Sequence, residues 1–536
     1  MFRKGLAVAV ILLFIGMCIV PSTAVTEFKD VSTVSFDGNT LYVGGSGANN
    51  YTTIQGAIND AVDDDTVFVF SGTYNENPYV NKSIELIGEN KNSTIIKGFK
   101  IDDVIKIVNS WVSVQNFYIN NSGPYGTHSG IKINGEIHNV SIKNNIITDN
   151  LIGICIGDEY SSYIVKHTRI EGNLIKNNTF GLTLYVSYYT MISNNTFIGN
   201  GIVIPEAYTR FNTVINNTVN GLQLIYLTEQ SNKVIEESAG QIILKSCENI
   251  TITSQEYRKH CDIFIELIGC SNCKIINNKI SWKYYCVYSI NSNNNLIKDN
   301  LFENVSYGVY LLNSDENTIS FNKVNNCRYS VLSRKSDSNT ISHNFFSNCY
   351  DGLYLLYSNH NIISFNLIDN CSNNGIELFY SCNFNKFLNN TINNSRYKGI
   401  YLLGSTQIWW DTASNKNLIS GNNIENNSIG IFLEDASLTT VSMNNIVRNF
   451  IGIDVASSCF SKIFNNNIYD NEKEDALLKN SFTTRFRGNF WNEKIRLHII
   501  KGGFYRYDFW GERYVLIFPL PRFDWSPAQE PYDIGV

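Results

Sequence analysis

An asparagine returns at one fixed interval through the middle of this chain, and that spacing constrains the fold more than any other feature. The motif Asn-x-Ile/Val/Phe-x-Asn opens at Asn300, Asn322, Asn344 and Asn366, always at the same step, with Asn278 one period earlier. It recurs at Asn390, Asn423, Asn445 and Asn467. A second motif runs in phase, a glycine followed by alternating apolar residues, at Gly308, Gly352, Gly375, Gly399, Gly430 and Gly452. More degenerate copies begin at Gly130, Gly153, Gly181 and Gly221. A third short segment, Asn-Thr/Ile-Ile-Ser, begins at Asn317, Asn339 and Asn361.

Each period therefore holds about three short alternating segments separated by Asn, Ser or Gly corners. Alternation puts every second side chain on one face. One such coil cannot bury its apolar face alone, but stacked coils bury it against each other. A leucine-rich repeat would need a leucine scaffold with helical segments, and a propeller needs blades of about 40 residues or more. The spacing predicts an all-β, right-handed, single-stranded parallel β-helix with coils of about 22 residues. Roughly fourteen coils at about 4.8 Å per rung would make a rod of about 65–70 Å. The corner asparagines are expected to stack into axial amide ladders.

The ends of such a rod must be covered, because open strand edges pair with other chains. Ile54, Ala57, Ile58, Ala61 and Val62 share one helical face, with Thr52 or Thr53 as N-cap, so a helical lid is expected on the first coil. Residues 488–536 break the repeat and carry Trp491, Trp510 and Trp525, an expected aromatic cover. Residues 1–24 read as a signal peptide: Arg3 and Lys4, an apolar run from Leu6 to Val20, then Ser22-Thr23-Ala24. The expected organisation is 1–24 leader, 25–100 N-terminal cap and first coils, 101–487 β-helix repeats, and 488–536 C-terminal cap. No later apolar run is long enough to span a bilayer as a helix, so no membrane span is expected in the mature chain. The net charge is −6, and loss of the two leader cations takes it to −8. With no long basic patch, nucleic acid is not an expected partner. Sequons at Asn81, Asn139, Asn249 and Asn304 suit an exported glycoprotein.

The stretch Tyr51-Thr-Thr-Ile-Gln-Gly-Ala-Ile-Asn-Asp-Ala, followed by Asp65-Thr-Val-Phe-Val and Gly72-Thr-Tyr-Asn-Glu76, resembles the opening of carbohydrate-active β-helices. The repeats from about residue 130 to 475 resemble the arrays of NosD-type periplasmic proteins of copper-enzyme maturation. The tail, with Gly488-Asn-Phe-Trp and Phe523-Asp-Trp-Ser-Pro, is similar to exported archaeal β-helix proteins. The wider family includes pectate lyases, polygalacturonases and pectin esterases. The resemblance implies a fold and not a reaction. The Gly-His-Gly and Arg-Ile-Lys of polygalacturonases are absent, and so is the Leu-Gly-Arg-Pro-Trp of pectin esterases. Asp63-Asp64-Asp65 reads as a solvated loop. No catalytic residue carries over, and no cofactor or metal is expected.

Candidate ligand contacts come from the register. In the glycine-led strand the residue between the inward apolar positions points outward. It reads Tyr288, Tyr310, Leu332, Tyr354, Glu377, Tyr401, Phe432 and Asp454 along the rungs, beside a column of Tyr285, Tyr307, Tyr329 and Asp351. Aromatic faces near acids suit sugar rings, although tyrosine is also simply a favoured strand residue. Between Gly399 and Gly430 the coil is nine residues too long, and the excess carries Trp409 and Trp410, expected to flank this stripe. Glu434 and Asp454 sit on adjacent rungs two residues apart, about 8 Å, within the range of an inverting glycosidase pair. Cys327, Cys349 and Cys371 should stack, and a reduced ladder is favoured over a bridge. Cys270-Ser-Asn-Cys273 is only one half of a zinc-like pattern, and Met and His are too dispersed for copper. The leading expectation is a non-catalytic exported protein, secreted or at the cell surface, that binds glycans or cell-envelope components. A polysaccharide lyase, hydrolase or epimerase on the strand face is the alternative, and a copper-enzyme maturation factor the third.

Overall fold

The computed structural model describes residues 36–158, 163–205, 209–404, 414–481, 483–492, 497–507 and 514–534. The leader at 1–24 and the pair Trp409 and Trp410 lie outside those residues, as does Trp510.

Three strands per coil stack into three parallel sheets. In the first sheet Ile319, Ile341, Ile363, Phe387 and Ile419 are partners on successive rungs. In the second the partners are Phe302, Val324, Phe346, Ile368 and Ile392. In the third they are Val309, Val331, Leu353, Ile376 and Ile400. All of these side chains are buried. The register survives coils of unequal length. Asn339 meets Asn361 and Asn385 meets Asn417, at sequence separations of 22 and 32, the excess going into a corner.

The first sheet has twenty rungs among the described residues, eight through Thr213–Ile215 and twelve from Val234–Ile235. The expectation of about fourteen was too low. The early rungs at Thr66, Glu85 and Ser113 are unevenly spaced and carry no recurrent asparagine to reveal them.

Corners are made by residues with positive φ, asparagine most often, since its short polar side chain tolerates that region. The residue after the corner between the first and second sheets is the ladder asparagine. Asn300 donates its backbone N–H (3.1 Å) and its side-chain amide (2.9 Å) to Oδ1 of Asn322, and its amide also reaches the Ile275 carbonyl (2.9 Å). The same pattern repeats from Asn278 to Asn489. At three rungs the ladder residue is Asn422, Asn444 and Asn466, one position before the motif starts read from spacing. The doublet Asn-Asn left the phase ambiguous, and Asn423 and Asn445 are instead the first strand residues.

Among the described residues the stack is interrupted once. After Ile202–Val203 and Thr213–Ile215 the chain turns back, pairing Thr218 and Val219 antiparallel with Gln223 and Leu222. Gly221, φ 84°, makes that turn, so it is not a copy of the glycine-led strand as its sequence suggested; that strand is Leu222–Thr228, which joins the third sheet from Leu224. Side chains from later coils close the abandoned strand edge. Asp262 accepts from Gly181 N and Gly201 N (both 3.0 Å), Gln241 from Ile202 N (2.9 Å), and Glu266 from Ile204 N (2.9 Å).

Both ends are covered. The helix Ile54–Asp60 is capped by Thr53, whose Oγ1 accepts from Gly56 N (3.1 Å), while Glu76 accepts from Ile54 N and Gln55 N. Ile54, Ala57, Ile58 and Ala61 are buried, but Val62 is 61% exposed, because the backbone turns extended at Ala61 and leaves the helical face. Asp65 is also buried, accepting from Asn39 N and Val62 N, so only part of the Asp63–Asp65 run is solvated. At the other end Trp491 is buried and stacks on His498 (4.0 Å), while Trp525 is 72% exposed. The cover there is an antiparallel arrangement of His498–Tyr507, Tyr514–Pro519 and Arg522–Asp524.

Asp524 ends the asparagine ladder. Its carboxylate accepts from Asn489 N (2.9 Å), Asn489 Nδ2 (3.1 Å), Gly488 N (3.0 Å) and Trp491 Nε1 (3.2 Å). Asp524→Ala would orphan several buried donors, a loss of about 3 kcal/mol. Hydrogen exchange should show protection falling about a hundredfold from Asn466 to Trp491. Coils before Asn366 should be unchanged, since each coil contacts only its neighbours.

Candidate functional site

The outward face of the third sheet carries the residues singled out by register. Tyr288 pairs with Tyr310, Tyr310 with Leu332, Leu332 with Tyr354, Tyr354 with Glu377, Glu377 with Tyr401, Tyr401 with Phe432, and Phe432 with Asp454. The column is therefore present in the order read from the sequence. A rung spacing of about 4.8 Å is close to ring-stacking distance, so the rings stack on each other. Tyr288 and Tyr310 are 5.1 Å apart at 10°, and Tyr401 and Phe432 5.2 Å apart at 5°. Tyr285, Tyr307 and Tyr329 form the adjoining stack at 4.6 and 5.4 Å.

This corrects one expectation. The stripe points away from the core, yet Tyr288, Glu377, Tyr401, Phe432 and Asp454 are all buried. Axial stacking consumes the ring faces. Lys398 packs beside the Tyr401 and Phe432 pair, its Nζ 3.9 and 5.4 Å from the two ring centroids.

The charged members form a chain of contacts. Tyr401 donates its hydroxyl to Glu434 (2.6 Å), and Lys479 pairs with Asp454 (2.6 Å). Glu377 accepts from Asn374 Nδ2 (2.7 Å), and Asp351 accepts from Asn374 N and Asn373 Nδ2 (both 2.8 Å). Glu434 and Asp454 stand on adjacent rungs two positions apart, as the spacing implied, with Glu434 opposite Ala456. Each is engaged with a different partner. Burial pushes the Asp351 carboxyl up to about 7, with the nearby Glu377 adding to the rise against the Asn374 N–H. Burial also raises Glu377 and Asp454 and lowers Lys398. Lys398 and Lys479 were not found from the sequence. Both belong to this strip, and the only signal for Lys479 was its register with Glu434 and Ala456.

The cysteines have structural places. Cys327 and Cys349 are register partners with Sγ atoms 2.8 Å apart, and Cys371 is buried nearby; all are free thiols. Cys270-x-x-Cys273 is one rung of a Ser-x-x-Asn ladder: Cys270 N–H donates to Ser292 Oγ and Cys273 N–H to Asn295 Oδ1, just as Ser314 and Asn317 donate to Ser336 and Asn339. Among the described residues no three His, Cys, Asp or Glu side chains come together as a metal site.

Asp351→Asn keeps the acceptor oxygen and removes the ionisation. A carboxyl raised from about 4 unfolded to about 7 folded contributes stability that is full below about pH 4 and is lost as pH rises through 7. Thermal melts at pH 5 and pH 8 should therefore show wild type losing more stability than the variant, by a difference of up to a few kcal/mol.

Residues 264–411 match the family described as right-handed β-helix region. Residues 374–512 match the family described as periplasmic copper-binding protein (NosD). No curated protein matches the chain. Among solved structures, an α-1,3-glucanase catalytic domain in complex with tetrasaccharides aligns at 12% identity over 76% of this chain and 66% of that domain, TM-score 0.27. An exopolygalacturonase from Thermotoga maritima aligns at 12% identity over 61% of this chain and 84% of its own, TM-score 0.31. Pectin methylesterase from carrot aligns at 10% identity, 62% and 83%, TM-score 0.22. These likenesses concern the coil architecture alone. The soft donors in the NosD-matching segment do not fit a copper ion. Cys382 is buried at a ladder position, Met443 and Cys459 occupy different corners, and His498 stacks on Trp491.

Proposed function

We propose that this protein is exported and binds glycans or other cell-envelope components, without turnover, along the outward face of its third sheet. The observation that carries this reading is the mutual engagement of the strip's charged groups. Glu434 is held by Tyr401, Asp454 by Lys479, Glu377 by Asn374 and Asp351 by Asn373 and Asn374. A glycosidase needs two carboxyl groups facing one bond, with room for water or a covalent intermediate between them. Here each carboxylate is spent on a neighbour, which suits a fixed polar surface better than an acid and base. What the strip offers a sugar is hydroxyl and ring edges at a rung repeat of about 4.8 Å. The leader-like segment and the match to a family described as periplasmic support export.

A polysaccharide lyase, hydrolase or epimerase is the second reading. It is favoured by Asp351, a buried carboxyl pushed up to about 7 beside Glu377, since a raised carboxyl can act as a general acid near neutrality.

Affinity electrophoresis of the full mature chain through glycan-containing gels should show retardation with no release of reducing or unsaturated sugars. Tyr401→Ala and Glu434→Ala, each checked for an unchanged melting profile, should weaken retention about tenfold by removing a charge-assisted contact. Product release abolished by Asp351→Asn or Glu377→Gln would replace this reading with the enzymatic one.

A further inference from the structure

The corner between the second and third sheets holds a groove of about 410 Å³ that none of the preceding contacts occupies. That volume lies in the range of small-ligand sites. His260, Trp282, Lys283, Asn304, Ser306 and Arg328 are among its lining residues. They come from four successive coils: Cys261, next to His260, pairs with Lys283, and Val305 pairs with Cys327. The groove therefore runs about 14 Å along the axis.

Its chemistry differs from that of the strip. Three of the lining residues, His260, Lys283 and Arg328, are basic, and no lining residue is acidic. This is notable in a chain of net charge −6. No ion pair to a carboxylate holds Lys283 or Arg328 among the described residues. The Lys283 ammonium is buried without an oxygen or nitrogen hydrogen-bond partner and rests 3.6 Å from the centroid of the Tyr257 ring. Burial lowers its proton affinity, against the opposing pull of the Cys261 and Cys286 thiols and the Asp262 carboxyl. That ammonium faces the core rings Tyr257 and Phe264, so it acts on the groove through its charge and not by contact. Trp282, at the corner, is 57% exposed and offers an open aromatic surface, which the self-stacked tyrosines do not. The tyrosine column begins at the groove's edge. Tyr307 follows Ser306, and Arg328 sits 5.4 Å from the Tyr329 ring centroid. Farther along, the strip turns acidic at Asp351, Glu377, Glu434 and Asp454. Lys398 and Lys479 offset part of that charge, so an anionic ligand is favoured at the groove end of the face over the mixed strip.

We propose that this corner groove takes the acidic units of a glycan, with carboxylate or sulfate groups against Arg328 and His260, a sugar ring against Trp282, and the buried Lys283 ammonium behind them. The proposal rests on the glycan-binding reading above and deepens it by naming the ligand class and the place where its charge is read.

The test is calorimetric titration of the full mature, unglycosylated chain near neutral pH with tetragalacturonate, its full methyl ester and a chondroitin sulfate tetrasaccharide. At least one acidic probe should bind about tenfold more tightly than the ester, and the preference should shrink between about 50 and about 300 mM NaCl. Arg328→Gln, at an exposed position, should lower acidic-probe affinity about tenfold and leave the ester unchanged. Lys283→Met, which keeps the buried stem, should lower it about threefold, since the ammonium acts through its field and not by contact. Equal binding of acid and ester, insensitive to Arg328→Gln but lost in Tyr401→Ala, would overturn the groove and leave the strip reading intact. An acid preference lost in Arg328→Gln but indifferent to Tyr401→Ala would support the groove and remove the strip. No binding of any of the three probes would overturn the groove, and the strip would then stand or fall on the gel assay alone.

Discussion

A carbonyl-like oxygen placed above each corner between the first and second sheets is what ties one coil to the next. The Oδ1 of each ladder asparagine receives two donors from the rung before it, a backbone N–H that no sheet partner reaches and a side-chain amide. Buried polar groups at a corner would otherwise be orphaned, and each orphan costs about 1–3 kcal/mol. The ladder has a direction, donors pointing toward the C-terminal end, so its last rung needs an acceptor with no amide of its own to satisfy. Asp524 supplies it, and Trp491 uses the same carboxylate. The C-terminal cover is in this sense the final rung as much as a lid.

The same axial logic governs the outward face. Equivalent positions lie directly above each other, so aromatic residues at one position become a stack and lose their faces to one another. Acidic and basic residues at one position acquire partners from the coils on either side, as Asp454 does from Lys479. Burial then moves their protonation equilibria without any cleft being present. A perturbed carboxyl on a solenoid is therefore a weaker sign of catalysis than on a globular enzyme, because stacking alone produces it.

Where the axial pattern fails, side chains substitute for backbone. At the interruption after Thr213–Ile215, strand-edge N–H groups lose their next rung and are met by Asp262, Gln241 and Glu266. Burial pushes Asp262 up to about 7 against the pull of the Gly181 and Gly201 N–H groups. The two apolar cores, one from Val43 to Ile268 and one from Ile225 to Ile500, meet at this joint.

Sequence periodicity by itself determined the three-sheet coil, the inward columns such as Ile319, Ile341 and Ile363, the thiol pair Cys327 and Cys349, and the vertical order from Tyr288 to Asp454. It could do so because in a solenoid a constant separation along the chain is a constant separation along the axis. Tertiary structure alone decided which outward residues are buried, that Cys270-x-x-Cys273 is a ladder rung, that Asn422 rather than Asn423 carries the amide stack, and that Asp524 meets Asn489 far along the chain. Those outcomes depend on irregular corners, on the reversal of the chain after Thr213–Ile215 and on contacts at the ends of the stack. None of these repeats, so no period in the sequence records them.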